Sequence, residues 1–138
     1  MAAGMMVAAA QAAVRVLKEN GISTVLVNAP VIKPLDVATI VGIARRCQAL
    51  ITAENHTIIG GLGSAVAEAL AEAGLGIPLR RIGIGDVFAE SGSREFLFAR
   101  YGLSVQNIVD TAWRVLAIKG PSPVAPVLDT VPGAYAPV

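Results

Sequence analysis

Short apolar segments alternate with helical segments along this chain, and this alternation restricts the possible folds more than any other feature. The three predicted strands are 23–28, 49–53 and 79–84. They are short, rich in apolar or β-branched residues and bounded by turn formers or helical segments. The predicted helices are 5–20, 37–47, 62–73, 93–101 and 104–118. Strands that alternate with helices predict an α/β fold with three layers, α/β/α, in which right-handed crossovers join a mostly parallel sheet.

Prolines mark the end of the predicted domain. Five of the eight prolines follow Gly120. Proline lacks a backbone N–H and cannot continue a helix or a central strand. We therefore predict one α/β domain over residues 1–120 and an extended, Pro-rich tail over residues 121–138.

The balance of apolar and charged residues indicates a chain that buries surface against other protein. Apolar residues make up 54% and charged residues 15%, against about 45–50% and about 25% in ordinary soluble domains. So few charges leave apolar surface that a second chain would cover, which predicts an oligomer. The net charge is +1, and basic residues cluster only in pairs, which argues against nucleic-acid binding. No segment approaches the ~20 apolar residues that cross a bilayer, so we predict a cytoplasmic protein.

A glycine-rich segment follows the second predicted strand, at the sheet edge where ligands bind in such folds. The candidate residues of this predicted loop are Glu54, His56, Gly60, Gly61, Gly63 and Ser64. The glycines let the backbone approach another surface closely, and the helix after them presents free N–H groups to an anion. Their spacing matches neither the dinucleotide fingerprint nor the P-loop. The helix is apolar over most of its circumference, which favours a packing interface, with anion or phosphate binding as the alternative.

The residues that carry acid, base or metal chemistry are too few for a complete site. His56 is the only histidine, and a zinc site around it would need unusual carboxylate ligands. Glu54 could orient the imidazole or act as an acid or base, but no recognisable nucleophile accompanies it. Asp86 and Glu90 share the loop after the third strand, where the ligand count for a metal is poor. We predict no catalytic and no metal-binding residue, with loop or interface roles for Glu54, His56 and Asp86.

Three segments resemble the C-terminal domain of transketolases, in the family's order. They are VIKPLD at 31–36, TAENHTIIGGLGSAVAEAL at 52–70 and IGIGDVFAESGSREFLFARYGLSVQNIV at 82–109. The middle segment is the most specific, because it matches the family's Glu-x-His and Gly-Gly-x-Gly-Ser-Ala-Val-Ala-Glu pattern closely. The resemblance covers about residues 4–118.

This resemblance implies a five-stranded, mostly parallel sheet and a role within a larger enzyme. In such enzymes thiamine diphosphate and a divalent metal, Mg²⁺, bind between two other domains, against which the C-terminal domain packs. The resemblance therefore implies that this chain alone binds no cofactor. Its partners would be the thiamine-binding domains, or a subunit that carries them, in a homo- or hetero-oligomer.

The start of the chain departs from the family pattern. The family domain begins with a pair of strands before its first helix, whereas residues 1–4 resemble only the end of the second. We therefore expect the N-terminal strands to be missing and the sheet to be incomplete.

Three functions follow as hypotheses. The favoured one is a non-catalytic assembly and packing domain of a transketolase-like enzyme, which as a whole transfers two-carbon ketol units between sugar phosphates. The alternatives are a small anion-binding module using the 60–64 loop, and an autonomous enzyme using Glu54 and His56.

Overall fold

The computed structural model describes residues 1–117, so the predicted tail at 121–138 lies outside the described residues. In chain order, the elements are α1 (Met6–Glu19), α2 (Val37–Ala44), β1 (Leu50–Thr57), α3 (Leu62–Glu72), β2 (Leu79–Ile84), α4 (Arg94–Arg100) and α5 (Val105–Val115). None of the helices in this part of the chain has the length and apolar character needed to span a membrane.

The two strands and two further segments joined by single β-bridges lie side by side in one sheet, and we call these four segments lanes. β1 pairs with β2 in parallel, with Leu50 opposite Leu79 and Ala53 opposite Ile82. On the other side of β1, Ala2 forms parallel bridges with both Ala53 and Asn28. The order across the sheet is therefore residues 27–29, residues 1–3, β1 and β2. These bridges agree with the expectation that the first residues form the end of a strand.

Helices cover both faces of these lanes, which gives the predicted three-layer α/β/α architecture. On one face, α1 and α5 bury an apolar cluster against Ala53 and Ile82. On the other face, α2 and α3 pack against Leu50 and Leu79. Parallel strands that helices cover on both faces carry apolar side chains on both faces, and the first residues of β1 follow this rule.

The predicted strand at 23–28 is wrong. The chain there has no regular structure except the bridge at Asn28, and the Val25 side chain is 60% exposed. A strand needs backbone partners along its length. Ala2 supplies the backbone hydrogen bonds to this segment, with its N–H donating to Val27 O and its C=O accepting from Ala29 N. Within residues 1–117, residues 23–26 therefore have β-type side chains but no strand paired with them.

Most helix boundaries follow local signals. The side chains of Asp36, Ser93 and Ser104 accept hydrogen bonds from backbone N–H groups three residues later, as N-caps do. The third predicted strand, 79–84, matches β2. Two helices end early: α2 ends at Ala44 and α5 at Val115.

The free energy of unfolding should rise as the pH increases from about 6 to 8. Burial lowers the pKa of the Met1 amino group from 8.0 to about 6. Between pH 6 and pH 8 the unfolded chain holds a proton on this amine and the folded chain does not. The free energy of unfolding is therefore lower at pH 6 than at pH 8 and changes little below pH 6. The free energy of unfolding should differ by about 2 kcal/mol between pH 6 and pH 8. Urea titrations at pH 6 and 8 measure it, and acetylating the Met1 amine should remove this part of the pH dependence. A slope that survives acetylation would contradict the assignment.

Candidate functional site

Four loops leave the carboxyl ends of the lanes, after Ala3, Ala29, Thr57 and Ile84. Of the seven predicted site residues, Gly60, Gly61 and Asp86 lie in these loops, and Gly63 and Ser64 lie at the start of α3. One boundary differs from the prediction, because β1 continues to Thr57 and includes Glu54 and His56. These two residues therefore lie in a strand, within the register shift between Ala53 and Thr57, rather than in a loop.

Glu54 is a buried carboxylate that fixes the start of α3. Its side chain is inside the protein, with 3% of the residue exposed. Its Oε2 accepts a hydrogen bond from Leu62 N at 2.7 Å, and its Oε1 accepts one from Gly63 N at 2.9 Å. These two amides are among the N–H groups that a helix leaves without internal partners, and the carboxylate also complements the helix dipole. The N-terminus of α3 is thus occupied by the Glu54 carboxylate of the same chain.

Gly61 and Gly63 allow this carboxylate and the neighbouring strand to approach α3. A Cβ added at Gly61 would overlap Glu54 Oε2 and lie 2.9 Å from Thr57 O. One added at Gly63 would lie 2.7 Å from the Arg81 side chain and 2.8 Å from Thr52 Oγ1. Gly60 contributes differently, since its φ of +74° favours glycine by backbone conformation. Gly61 and Gly63 therefore serve close packing inside this chain, and the interface role predicted for these glycines stays a prediction.

Replacing Gly61 with alanine should lower the free energy of unfolding by about 1–3 kcal/mol, because the methyl group displaces Glu54 from a packed position. Gly42 offers a matched control within α2. A Cβ there meets nothing within 4 Å, and alanine in a helix interior is favoured over glycine by about 0.5–1 kcal/mol. Chemical denaturation should show opposite signs for Gly61→Ala and Gly42→Ala. A neutral or stabilising Gly61→Ala would refute the close approach.

Ser64 and Gly60 hold the loop between β1 and α3. The Ser64 hydroxyl accepts a hydrogen bond from Gly60 N at 3.0 Å and donates one to Ile58 O at 3.1 Å. Ile58 O also accepts a hydrogen bond from Arg81 Nη1 at 2.9 Å. The Ser64 hydroxyl is thus engaged inside the loop, which leaves the anion-binding alternative without its polar side chain.

His56 stands apart from Glu54. It is exposed, and its Nδ1 lies 3.1 Å from Thr57 O. Both Glu54 oxygens face α3 instead, so the two side chains do not form the acid–base pair that was considered from sequence. Within residues 1–117, no group of three His, Cys, Asp or Glu side chains is placed to hold a metal ion.

Asp86 lies exposed in the loop after β2. That loop is held to α4 farther along, where Glu90 N donates to Tyr101 Oη at 3.2 Å and Arg100 Nε donates to Glu90 Oε1 at 2.9 Å. Between Asp86 and Glu90, the Phe88 side chain is fully exposed. The structure therefore presents an aromatic ring to solvent on a loop that is anchored at its far end.

The carboxyl-end loops share a feature that the sequence reasoning missed, namely exposed apolar side chains. We call this set the carboxyl-edge patch, and its members are Met5, Val31, Ile32, Ile59, Val87 and Phe88. Ile59 and Val31 are each more than half exposed. Whether a hydrophobic side chain in a loop is exposed depends on how the rest of the fold packs around it. No sequence pattern distinguished these residues from core residues.

Comparison with known proteins gives consistent matches. The family model for "Transketolase, C-terminal domain" matches residues 1–108. A 6-deoxy-6-sulfo-D-fructose transketolase subunit from Clostridium sp. (strain MSTE9) is 41% identical over 115 residues, which are 83% of this chain and 35% of that protein. A 1-deoxy-D-xylulose-5-phosphate synthase from Desulforudis audaxviator is 46% identical over 113 residues, 81% of this chain and 18% of the synthase. This chain thus spans about a third or less of the curated relatives described here.

A solved structure agrees with the fold. It is described as a split gene transketolase, inactive beta4 tetramer, and it superposes with a TM-score of 0.78 at 40% identity. The match covers 86% of this chain and 39% of that one.

Proposed function

The chain belongs to the family of transketolase C-terminal domains, and from this premise we propose that it is a non-catalytic assembly domain of a transketolase-like enzyme. In this proposal, the carboxyl-edge patch packs against a polypeptide that carries the thiamine-binding domains. The assembled enzyme transfers two-carbon ketol units between sugar phosphates. This chain supplies protein surface to that enzyme and no reacting group.

The exposed carboxyl-edge patch is the observation that carries this proposal. Burial of a phenylalanine side chain contributes about 1.5–3 kcal/mol, so a fully exposed ring leaves that energy available for association. Phe88 lies in such a position, and Ile59 extends from the adjacent lane's loop. Exposed apolar groups at one sheet edge mark a surface that binds another protein. The Phe88 loop is also anchored through Glu90 and Tyr101, so less conformational entropy is lost on binding.

The polar residues near the patch support a structural role. Glu54 and Ser64, which carry the most suitable oxygen atoms, already hold the start of α3 and the loop before it. The residues described here do not fit thiamine diphosphate and Mg²⁺ as a complete site, because the amides of Leu62 and Gly63 are engaged by Glu54. In the proposal, both cofactors belong to the partner's domains, and this chain alone binds neither.

The names of the similar proteins are in keeping with a chain that works as part of an assembly. One relative is a transketolase subunit, and the solved structure is titled as an inactive tetramer of a split-gene enzyme.

Mixing experiments test the proposed function. The chain is purified alone and after co-expression with a polypeptide carrying thiamine-binding domains of a related transketolase. Each sample is examined by size-exclusion chromatography and by a ketol-transfer assay with thiamine diphosphate and Mg²⁺. We expect co-elution, and activity only when both polypeptides are present. Ketol transfer by this chain alone would overturn the proposal, and so would failure of the two polypeptides to associate.

A further inference from the structure

The chain leaves the core after β2 and stays on the surface as far as the first turn of α4. Residues 86–96 are all exposed, and none of the α4 residues is buried. The chain next joins the apolar cluster under α1 and α5 at the partly buried Phe98 and Tyr101 and at the buried Leu103. We call residues 86–96 the strap. Apolar burial, which stabilises the rest of the domain, contributes little to the position of the strap.

Glu90 joins the middle of the strap to the far end of α4. Its backbone N–H donates to Tyr101 Oη at 3.2 Å, and its Oε1 accepts from Arg100 Nε at 2.9 Å. We call these two contacts the Glu90 latch. A second ion pair joins the neighbouring residues Arg94 and Glu95, whose side chains are 68% and 70% exposed. That pair lies within the strap, so among residues 1–117 the latch carries the side-chain hydrogen bonds from the strap to the end of α4.

The latch is weak in comparison with the chain that it orders. The side chains of Arg100 and Glu90 are 23% and 47% exposed, and exposed ion pairs contribute little and are weakened by salt. The hydrogen bond to the tyrosine hydroxyl has a small net effect as well. Each ordered strap residue loses conformational entropy, and α4 has only 7 residues, a length at which helices are marginal without packing. The closed and open forms of the strap are therefore close in free energy.

The closed form holds two aromatic side chains of the strap in fixed positions. Phe88 is fully exposed and Phe96 is about half exposed. A Cβ added at Gly92 would lie 2.6 Å from the Phe96 ring, so this ring packs closely on the strap backbone. Opening would spread both rings over many conformations. A partner that buries the rings binds the closed form better and shifts the population toward it.

We propose that the Glu90 latch is a conformational switch. The strap opens and closes while the rest of the domain stays folded, and closure presents Phe88 and Phe96 to the partner. The apparent affinity then falls in proportion to the fraction of chains in the closed form. The inference rests on the proposed function for the identity of the partner, the polypeptide with the thiamine-binding domains. The opening of the strap is a property of this chain by itself.

Native-state hydrogen exchange in the 138-residue chain tests the opening. The strap amides to follow are those of Glu90, Phe96 and Leu97, which donate hydrogen bonds in the closed form. The reference amides are those of Leu62 and Gly63, which are buried at the start of α3. Between 0 and about 1 M urea, we expect exchange of the reference amides to accelerate, because they open with the whole domain. Exchange of the strap amides should be faster and should not depend on urea.

Two variants test the latch. Arg100→Met with Tyr101→Phe removes both contacts and retains most of the apolar volume, whereas Arg94→Met removes the ion pair within the strap. We expect the double variant to accelerate exchange of the strap amides about tenfold and to leave the reference amides within about threefold. In calorimetric titrations it should bind the partner about three- to tenfold more weakly. Arg94→Met should change neither exchange nor affinity.

Strap amides that depend on urea as the reference amides do would overturn the proposal, because the strap would then open only with the whole domain. This comparison uses the unaltered chain and needs no variant to fold. Equal strap exchange in the double variant and the unaltered chain would also overturn it, and so would faster exchange without any loss of affinity. Failure of the unaltered chain to bind the partner would count against the proposed function, while the exchange measurements on this chain alone would still decide whether the latch holds the strap.

Discussion

Replacing Phe88 with serine is expected to weaken association with the thiamine-binding polypeptide by more than about 30-fold, equivalent to about 2 kcal/mol. The ring is fully exposed in this chain, so its removal takes no contact from the folded monomer. Its whole effect should therefore fall on the complex. Exposed aromatic side chains that become buried at the centre of an interface carry most of the binding energy in many complexes. Isothermal titration calorimetry measures the affinity, and urea denaturation measures the stability.

Val16→Ser provides a matched control. Val16 is also an exposed apolar residue, but it lies near the end of α1, away from the carboxyl-edge loops. We expect its substitution to change the affinity less than about threefold, within the ±0.5 kcal/mol typical of neutral surface changes. Normal binding by the Phe88→Ser variant would show that Phe88 lies outside the interface. A loss of more than about 1 kcal/mol of folding stability would show that the ring packs within the monomer.

Replacing Glu54 with alanine should lower the free energy of unfolding by about 3–6 kcal/mol. Each hydrogen bond to a charged group contributes about 1.5–3 kcal/mol, and Glu54 accepts two from the start of α3. The substitution leaves both amides buried without partners and opens a space beside Gly61. Because whole domains have only about 5–15 kcal/mol of stability, the variant should be close to unfolding at 25 °C.

Two further variants separate this role from a general charge effect. Glu54→Gln retains one carbonyl oxygen as an acceptor and should lose about half as much stability. Glu68→Ala removes an exposed carboxylate from the same helix and should change the stability by less than about 0.5 kcal/mol. Urea denaturation followed by circular dichroism compares all three. A Glu54→Ala variant as stable as Glu68→Ala would show that the helix start is fixed by other contacts.

Local signals in the sequence predicted the fold best. The capping residues Asp36 and Ser104 act within one helical turn, so their roles could be inferred from neighbouring residues. The β2 strand was found because Leu79–Ile84 is bounded by turn formers on both sides. The family resemblance correctly indicated the three-layer architecture, and the superposition with a split-gene transketolase agrees with it.

Features that depend on distant contacts could not be predicted in the same way. The β-type composition of residues 23–28 indicated a strand, but a strand forms only where a distant backbone pairs with it, and among residues 1–117 this segment pairs only through the bridge between Asn28 and Ala2. The Glu54 carboxylate caps a helix that begins eight residues later, and its burial follows from the close approach at Gly61. The exposure of Phe88 is likewise a property of the folded chain. The roles of His56 and Asp86 stay predictions.

Hydrogen exchange of this chain, with and without the thiamine-binding polypeptide, tests the central claim most directly. The claim is that the chain acts by presenting the carboxyl-edge patch to that partner. We predict that exchange slows in residues 58–61 and 85–90 when the complex forms, while the exposed face of α1 exchanges as before. A stable complex in which both loops exchange at the rates of the chain alone would contradict the account.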